Sequence, residues 1–145
     1  MKDFPHHYTV AAKALPDDPV ELSSPGLPTL ESAPPVEFGG PGDRWSPETL
    51  LVAAVADCFV LSFKAIAQAS KFEWTSLSCD VEGELDRQDK AMQFVGFRVR
   101  AVLDVPAGAD ESRAQRLLEK AEHSCLITSS LKAPATLEAE VRVAG

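Results

Sequence analysis

The chain has 145 residues, 45% of them apolar and 25% charged, with 14 basic against 22 acidic side chains and a formal charge of −8. That describes a single globular domain, residues 1–145, able to bury its own core, and its negative field disfavours nucleic acid and anionic membrane surfaces as partners. Three cysteines are too few and of odd number for a disulfide-stapled secreted scaffold, Met1 to His7 holds no apolar signal segment, and Thr49 to Ala56 is too short to cross a bilayer.

The expectation is therefore a soluble, cytoplasmic domain with reduced thiols. Nine of the eleven prolines lie at or before Pro47, with four of the eight glycines. That segment reads as short strands and tight turns: Tyr8 to Ala14, Val20 to Ser23, then a turn-rich stretch from Pro25 to Pro41. At Ser46-Pro47 the pattern changes, because serine caps a helix and proline fits its first position. From Pro47 to about Ser70 the sequence is helical in character, and Leu50 to Val55 is apolar on every side. Such a helix calls for burial by sheet, by another helix or by a second subunit.

Period-two alternation follows. Leu77, Cys79 and Val81 share a face, as do Phe97, Val99, Ala101, Leu103 and Val105, and later Ala135, Leu137, Ala139, Val141 and Val143. Strands with one dry and one wet face predict antiparallel sheet. Between the last two lies a helix from about Asp110 to Ser124, capped by Asp110, with Ala114, Leu117, Leu118 and Ala121 on its dry side. There is no internal repeat and no domain boundary. The class is α+β in two layers.

Chemistry centres on cysteine. Cys79 is explained by its strand face and packs as a small hydrophobe. Cys58 lies midway along the apolar helix and Cys125 ends the second one. Arg44 is the only basic residue between Lys13 and Lys64, a span holding eight acids. Two readings apply to it: a solvated pair with Asp43 or Glu48, or a cation held by Glu48 and aimed at a thiolate, since only the thiolate attacks. Ten residues of helix place Glu48 roughly 15 Å from Cys58 along the axis. A shared Glu48–Arg44–Cys58 site therefore implies Cys58 of a partner subunit and an obligate dimer.

The run Phe38-Gly39-Gly40-Pro41-Gly42, followed by Ser46-Pro47-Glu48-Thr49-Leu50-Leu51-Val52-Ala53-Ala54-Val55-Ala56-Asp57-Cys58-Phe59, resembles the OsmC/Ohr family of osmotically inducible and organic hydroperoxide resistance proteins. Glu122-His123-Ser124-Cys125-Leu126-Ile127-Thr128-Ser129-Ser130-Leu131 resembles that family's second-cysteine motif. The likeness runs over essentially the whole chain and is closer to the OsmC-like branches. It implies antiparallel sheets packed on a long buried central helix, in an intertwined homodimer with two interfacial sites. It further implies a thiol peroxidase with no metal or organic cofactor, acting on organic hydroperoxides and re-reduced by an external dithiol such as a lipoyl group. Cys58 matches the peroxidatic cysteine, Cys125 the resolving one, and Glu48 the acid that steadies a catalytic arginine. The family's early Gly-Gly-Arg turn is missing here, where Lys13 to Asp18 has no arginine, so Arg44 is the candidate substitute. Phe38, Trp45, Phe59 and Leu126 are candidate apolar walls, each with core packing as the competing explanation.

Other chemistries are open to these residues. His123 could serve Cys125 or Cys58 as the base of an acyl transferase or hydrolase. A metal site from His6, His7, His123 and the cysteines lacks ligand spacing such as Cys-x-x-Cys. A redox sensor or apolar-ligand carrier on the same fold would use the same cysteines without sustained turnover.

Overall fold

Ser46 and Thr49 start the longest element by capping each other: the Thr49 N–H donates to Ser46 Oγ at 3.1 Å, and the Ser46 N–H to Thr49 Oγ1 at 2.8 Å. Reciprocal caps of this kind satisfy donors that a helix end leaves orphaned, and a cap is worth about 1 kcal/mol. The computed structural model describes residues 1–145, and in it helix α1 runs Pro47–Ala69. The chain forms two compact units, residues 1–50 and 51–145, with the division falling inside α1.

The first unit holds strands β1 (Ala11–Lys13), β2 (Val20–Ser23) and β3 (Leu30–Ser32) in one antiparallel sheet of order β1-β2-β3. The strand expected over Tyr8 to Ala14 shortens to three residues because its partner β2 offers only Glu21 to Ser23 to pair with. Strand β3 lies inside the stretch read as turns, where Leu30 to Ser32 pairs with β2 between flanking prolines. A 3-10 turn at Val36–Phe38 and a bridge from Ser32 to Trp45 lead into α1. The only buried residues of this unit are Ser32 and Ser46; Phe4, Tyr8, Val10, Leu27 and Val36 are all exposed.

The second unit contains the rest of α1, then β4 (Ser76–Gln88), β5 (Ala91–Val105), α2 (Glu111–His123), α3 (Leu126–Ser129) and β6 (Ala135–Val143). Asp89 and Lys90, both at positive φ (47° and 71°), turn β4 into β5, as the twist of a two-residue hairpin requires. The sheet order is β4-β5-β6. β4 and β5 are antiparallel as expected, but β6 runs parallel to β5. Alternation reports which face is dry and not which way a strand runs; here α2 carries the chain back across before β6 begins, which makes the pair parallel.

The core joins Val55, Phe59, Phe63 and Ala67 of α1 with Phe97, Val99, Ala101, Leu103 and Val105 of β5 and Ala114, Leu117, Leu118 and Ala121 of α2. Asp110 caps α2 by accepting from the Arg113 N–H at 3.1 Å, as its sequence position predicts. Gly83 on β4 is needed for close approach: a Cβ there would meet Val52 Cγ2 at 2.8 Å and the Phe94 ring at 3.0 Å. Past the far end of α1 at Ala69, the φ of 53° at Lys71 lets the Phe72 N–H donate back to the Ala67 carbonyl at 2.9 Å. The helix expected to be buried all round is fully buried only along Val55, Phe59, Phe63 and Ala67, spaced four apart. Leu51, Val52, Val60 and Ile66 are half-covered and Leu61 is 54% exposed.

Two substitutions test this packing. Lys90→Gly should stabilise by about 0.5–1 kcal/mol, from relief of left-handed strain less the added entropy of glycine. Leu118→Ala should destabilise by about 2–5 kcal/mol, because a fully buried side chain leaves a cavity. Urea midpoints measure both.

Candidate functional site

Cys58 directly precedes the buried Phe59, so its side chain sits at the border of the α1 core stripe and is half-buried. One turn on, Ser62 Oγ lies 4.0 Å from Cys58 Sγ. The second cysteine is placed by the end of α2. Ser124 closes that helix with its N–H on the Lys120 carbonyl at 3.0 Å, and Cys125 then turns extended (φ −66°, ψ 113°) to cap α3. Cys125 is 1% exposed, and its carbonyl accepts from the Ser129 N–H at 3.1 Å and Thr128 Oγ1 at 3.2 Å. Anchored in this way, the first turn of α3 presents its orphan N–H groups to the Cys58 sulfur.

The electrostatics follow from that placement. Burial pushes the Cys58 thiol up, but the N–H of Ile127, the Cys125 thiol, the N–H of Leu126 and the Ser62 hydroxyl together outweigh it. The net pKa is lowered from its usual 9.0. None of these groups is a cation. Cys79 is the opposite case: burial first, then the charges of Asp80 and Cys125, push it up to about 11. It packs against the core, opposite Ala101 on β5, as its strand position predicts.

Cys58 and Cys125 are thus brought together, while Arg44 and Glu48 are not. Arg44 pairs with Asp43 at 3.0 Å and with Glu31 at 3.3 Å, which is the solvated-pair reading rather than the Glu48 pair. Those two partners, Asp43 first, raise its pKa. In the first turn of α1, Glu48 Oε1 is sealed from solvent and has no hydrogen-bond partner. Of the expected apolar walls, Phe59 is a core residue at 1% exposure, because it falls on the buried stripe with Val55 and Phe63. Phe38, Trp45 and Leu126 are exposed.

The other chemistries find little purchase in this geometry. His123 Nδ1 is engaged with the Glu119 carbonyl at 2.9 Å and makes no bond to either cysteine. No three His, Cys, Asp or Glu side chains are grouped to hold a metal ion.

Ser62 and the backbone donors of α3 escape a reading based on charged side chains. Ser62 had a signal, since i and i+4 share a helix face. The α3 donors had none, because a four-residue helix shows no periodicity.

A long helix carrying one cysteine, beside a second cysteine at a helix junction, marks a class of thiol-bearing α+β proteins, and comparison identifies the family. Residues 40–140 match the OsmC-like protein model, so the chain belongs to the OsmC family. It is 28% identical over 143 residues to the uncharacterized protein YmaD of Bacillus subtilis, covering 95% of each chain. It is also 28% identical to the peroxiredoxin OsmC of Escherichia coli over 97 residues, 67% of each. Among solved structures, an organic hydroperoxide resistance protein OsmC from Legionella pneumophila superposes with a TM-score of 0.73 at 26% identity, covering 95% of this chain and 99% of that one. The α+β fold is that of the OsmC/Ohr family.

Thiol labelling at graded pH checks the contrast between two of the sulfurs. Cys58 should be alkylated before Cys79, with its reactivity midpoint below the usual 9.0 against a midpoint near 11 for Cys79. The folded-state pKa of Cys79 lies above the usual 9.0, so its protonated thiol favours folding fully below that pH. That contribution is lost as pH rises toward 11, and Cys79→Ala should flatten the alkaline fall in stability over this window.

Proposed function

We propose that this protein is a cysteine peroxidase that reduces organic hydroperoxides to alcohols, working as a homodimer in a reducing, cytoplasmic setting. The observation that carries the reading is a half-buried Cys58 whose sulfur faces the Cys125 thiol and two backbone donors. The Cys58 thiolate attacks one peroxide oxygen, the O–O bond breaks, and the alkoxide leaves and takes up a proton as the alcohol. The product on the protein is the Cys58 sulfenic acid. The Cys125 sulfur then displaces hydroxide, which leaves as water with the Cys125 proton, and a Cys58–Cys125 disulfide forms. An external dithiol of lipoyl type reduces it by two exchange steps and leaves as its own disulfide.

The homodimer is supported by what a single copy leaves uncovered: the half-open faces of α1 and a first unit with no buried apolar side chain. The sealed, unpartnered Glu48 Oε1 supports a cation arriving at that carboxylate, and Arg44 is the one that sequence offers. In this reading Arg44 leaves Asp43 and Glu31, joins Glu48, and acts on Cys58 of the partner subunit. Phe38, Trp45 and Leu126, exposed in one copy, then wall an apolar substrate.

Stoichiometric cumene hydroperoxide added to the reduced protein should give a Cys58–Cys125 disulfide by peptide mass mapping. Cys58→Ser should abolish peroxide consumption, and Cys125→Ser should accumulate a sulfenic acid that dimedone traps. Thiols that stay reduced would overturn the peroxidase. For the shared site, Arg44→Ala and Cys58→Ser should each be inactive alone, and co-expression should restore about half of one active site per dimer. A mixed dimer no more active than its parents overturns the shared site, and an Arg44→Ala protein as active as the parent removes Arg44 from the mechanism.

A further inference from the structure

We infer that the Ser62 hydroxyl is a dedicated hydrogen-bond donor to the Cys58 sulfur, one that holds the thiolate in its attacking position. The inference rests on Cys58 being the reactive thiol of the proposed peroxidase.

Geometry carries the argument. Ser62 stands four residues after Cys58 on α1, so both side chains emerge on one helix face, one turn apart. Its Oγ lies 4.0 Å from Cys58 Sγ, a long contact in which either group can donate while the thiol is protonated and only the hydroxyl can once it is a thiolate. A mid-helix serine commonly turns its hydroxyl back onto a carbonyl of the preceding turn. Ser62 makes no such bond, and Cys58 Sγ is its only hydrogen-bond partner. Its neighbours on the helix, Leu61 and Phe63, are apolar, so this hydroxyl is the one polar group α1 offers on that side of the sulfur.

The chemistry needs such a donor. Thiolate sulfur accepts hydrogen bonds, and each O–H directed at it favours the charged form over the thiol. The backbone N–H groups of Leu126 and Ile127 approach from α3, a different element. Ser62 is fixed to the same helix as Cys58 and keeps its distance if α3 shifts while Cys125 attacks. The hydroxyl is also amphoteric: it can donate to a thiolate and accept from a sulfenic O–H without changing rotamer class. Ser62 therefore accompanies Cys58 through both the reduced and the oxidised state.

The test follows Cys58 alkylation by iodoacetamide in the reduced, full-length protein, read at the Cys58 peptide by mass spectrometry from pH 5 to 10. In Ser62→Ala the midpoint should rise by about half a unit, which lowers the alkylation rate about threefold on the acid limb. Ser62→Thr keeps the hydroxyl and should return the midpoint to within about a tenth of a unit of the parent. An unchanged midpoint in Ser62→Ala overturns the inference. So does an equal rise in both variants, which would assign the effect to packing. Thermal melts identify any loss of folding, and if Ser62→Ala does not fold, Ser62→Val, which matches Ser62→Thr in shape without the hydroxyl, is read in its place with the same expectation. The same proteins are then given cumene hydroperoxide. A raised midpoint in Ser62→Ala, beside a parent that consumes no peroxide, would retain the Ser62 contact and overturn the peroxidase reading alone.

Discussion

A thiolate set into the flank of an apolar helix loses solvation and must recover it from fixed dipoles or from a cation. Cys58 recovers it from dipoles. Burial works against its charge, and backbone N–H groups, the neighbouring thiol and a hydroxyl reverse the balance. Every part of the second unit bears on that arrangement. The stripe Val55, Phe59, Phe63 and Ala67 fixes the rotation of α1 and so the direction of Cys58. Leu117, Leu118 and Ala121 fix the end of α2, from which Cys125 and the first turn of α3 hang.

The dependence explains why α2 and α3 are separate helices rather than one. A continuous helix through Cys125 would use the N–H groups of Leu126 and Ile127 in its own ladder. The extended residue at Cys125 breaks the ladder and frees them. Ser129 and Thr128 then bond the Cys125 carbonyl, so the break is held by the turn that follows it. The parallel β6 belongs to the same layout, because the chain must return across the sheet after forming this junction.

Most of this frame is legible in the sequence for identifiable reasons. Ser46-Pro47 announces α1 and Asp110 announces α2, since caps are local chemistry. Alternation in β4, β5 and β6 reports the dry face, and with it the packed role of Cys79. What stays hidden is non-local or too short to be periodic. β3 exists because β2 pairs with it, and the direction of β6 depends on α2. At the site, the cysteine pair stands out, but its donors are backbone groups of a four-residue helix and one serine among apolar neighbours. Arg44 misleads for the opposite reason: a lone cation among acids draws attention, and those same acids, Asp43 and Glu31, are near enough to hold it.

That competition bears on how an acidic chain can run thiolate chemistry. With 22 acidic against 14 basic residues, a free guanidinium finds carboxylates wherever it turns, and each pairing screens the charge it could direct at a sulfur. Backbone dipoles and hydroxyls face no such competition, because carboxylates cannot displace an N–H that the fold has already aimed. They also respond little to ionic strength, whereas an exposed arginine is screened within about 8 Å at physiological salt. The two devices suit two steps. Dipoles favour the charged form of Cys58, inside one copy of the chain. In the proposed peroxidase a cation serves when negative charge appears on the leaving oxygen, and Arg44 can do so only once something releases it from Asp43 and Glu31. The unpartnered, sealed oxygen of Glu48 is the group in this chain with most to gain from receiving it.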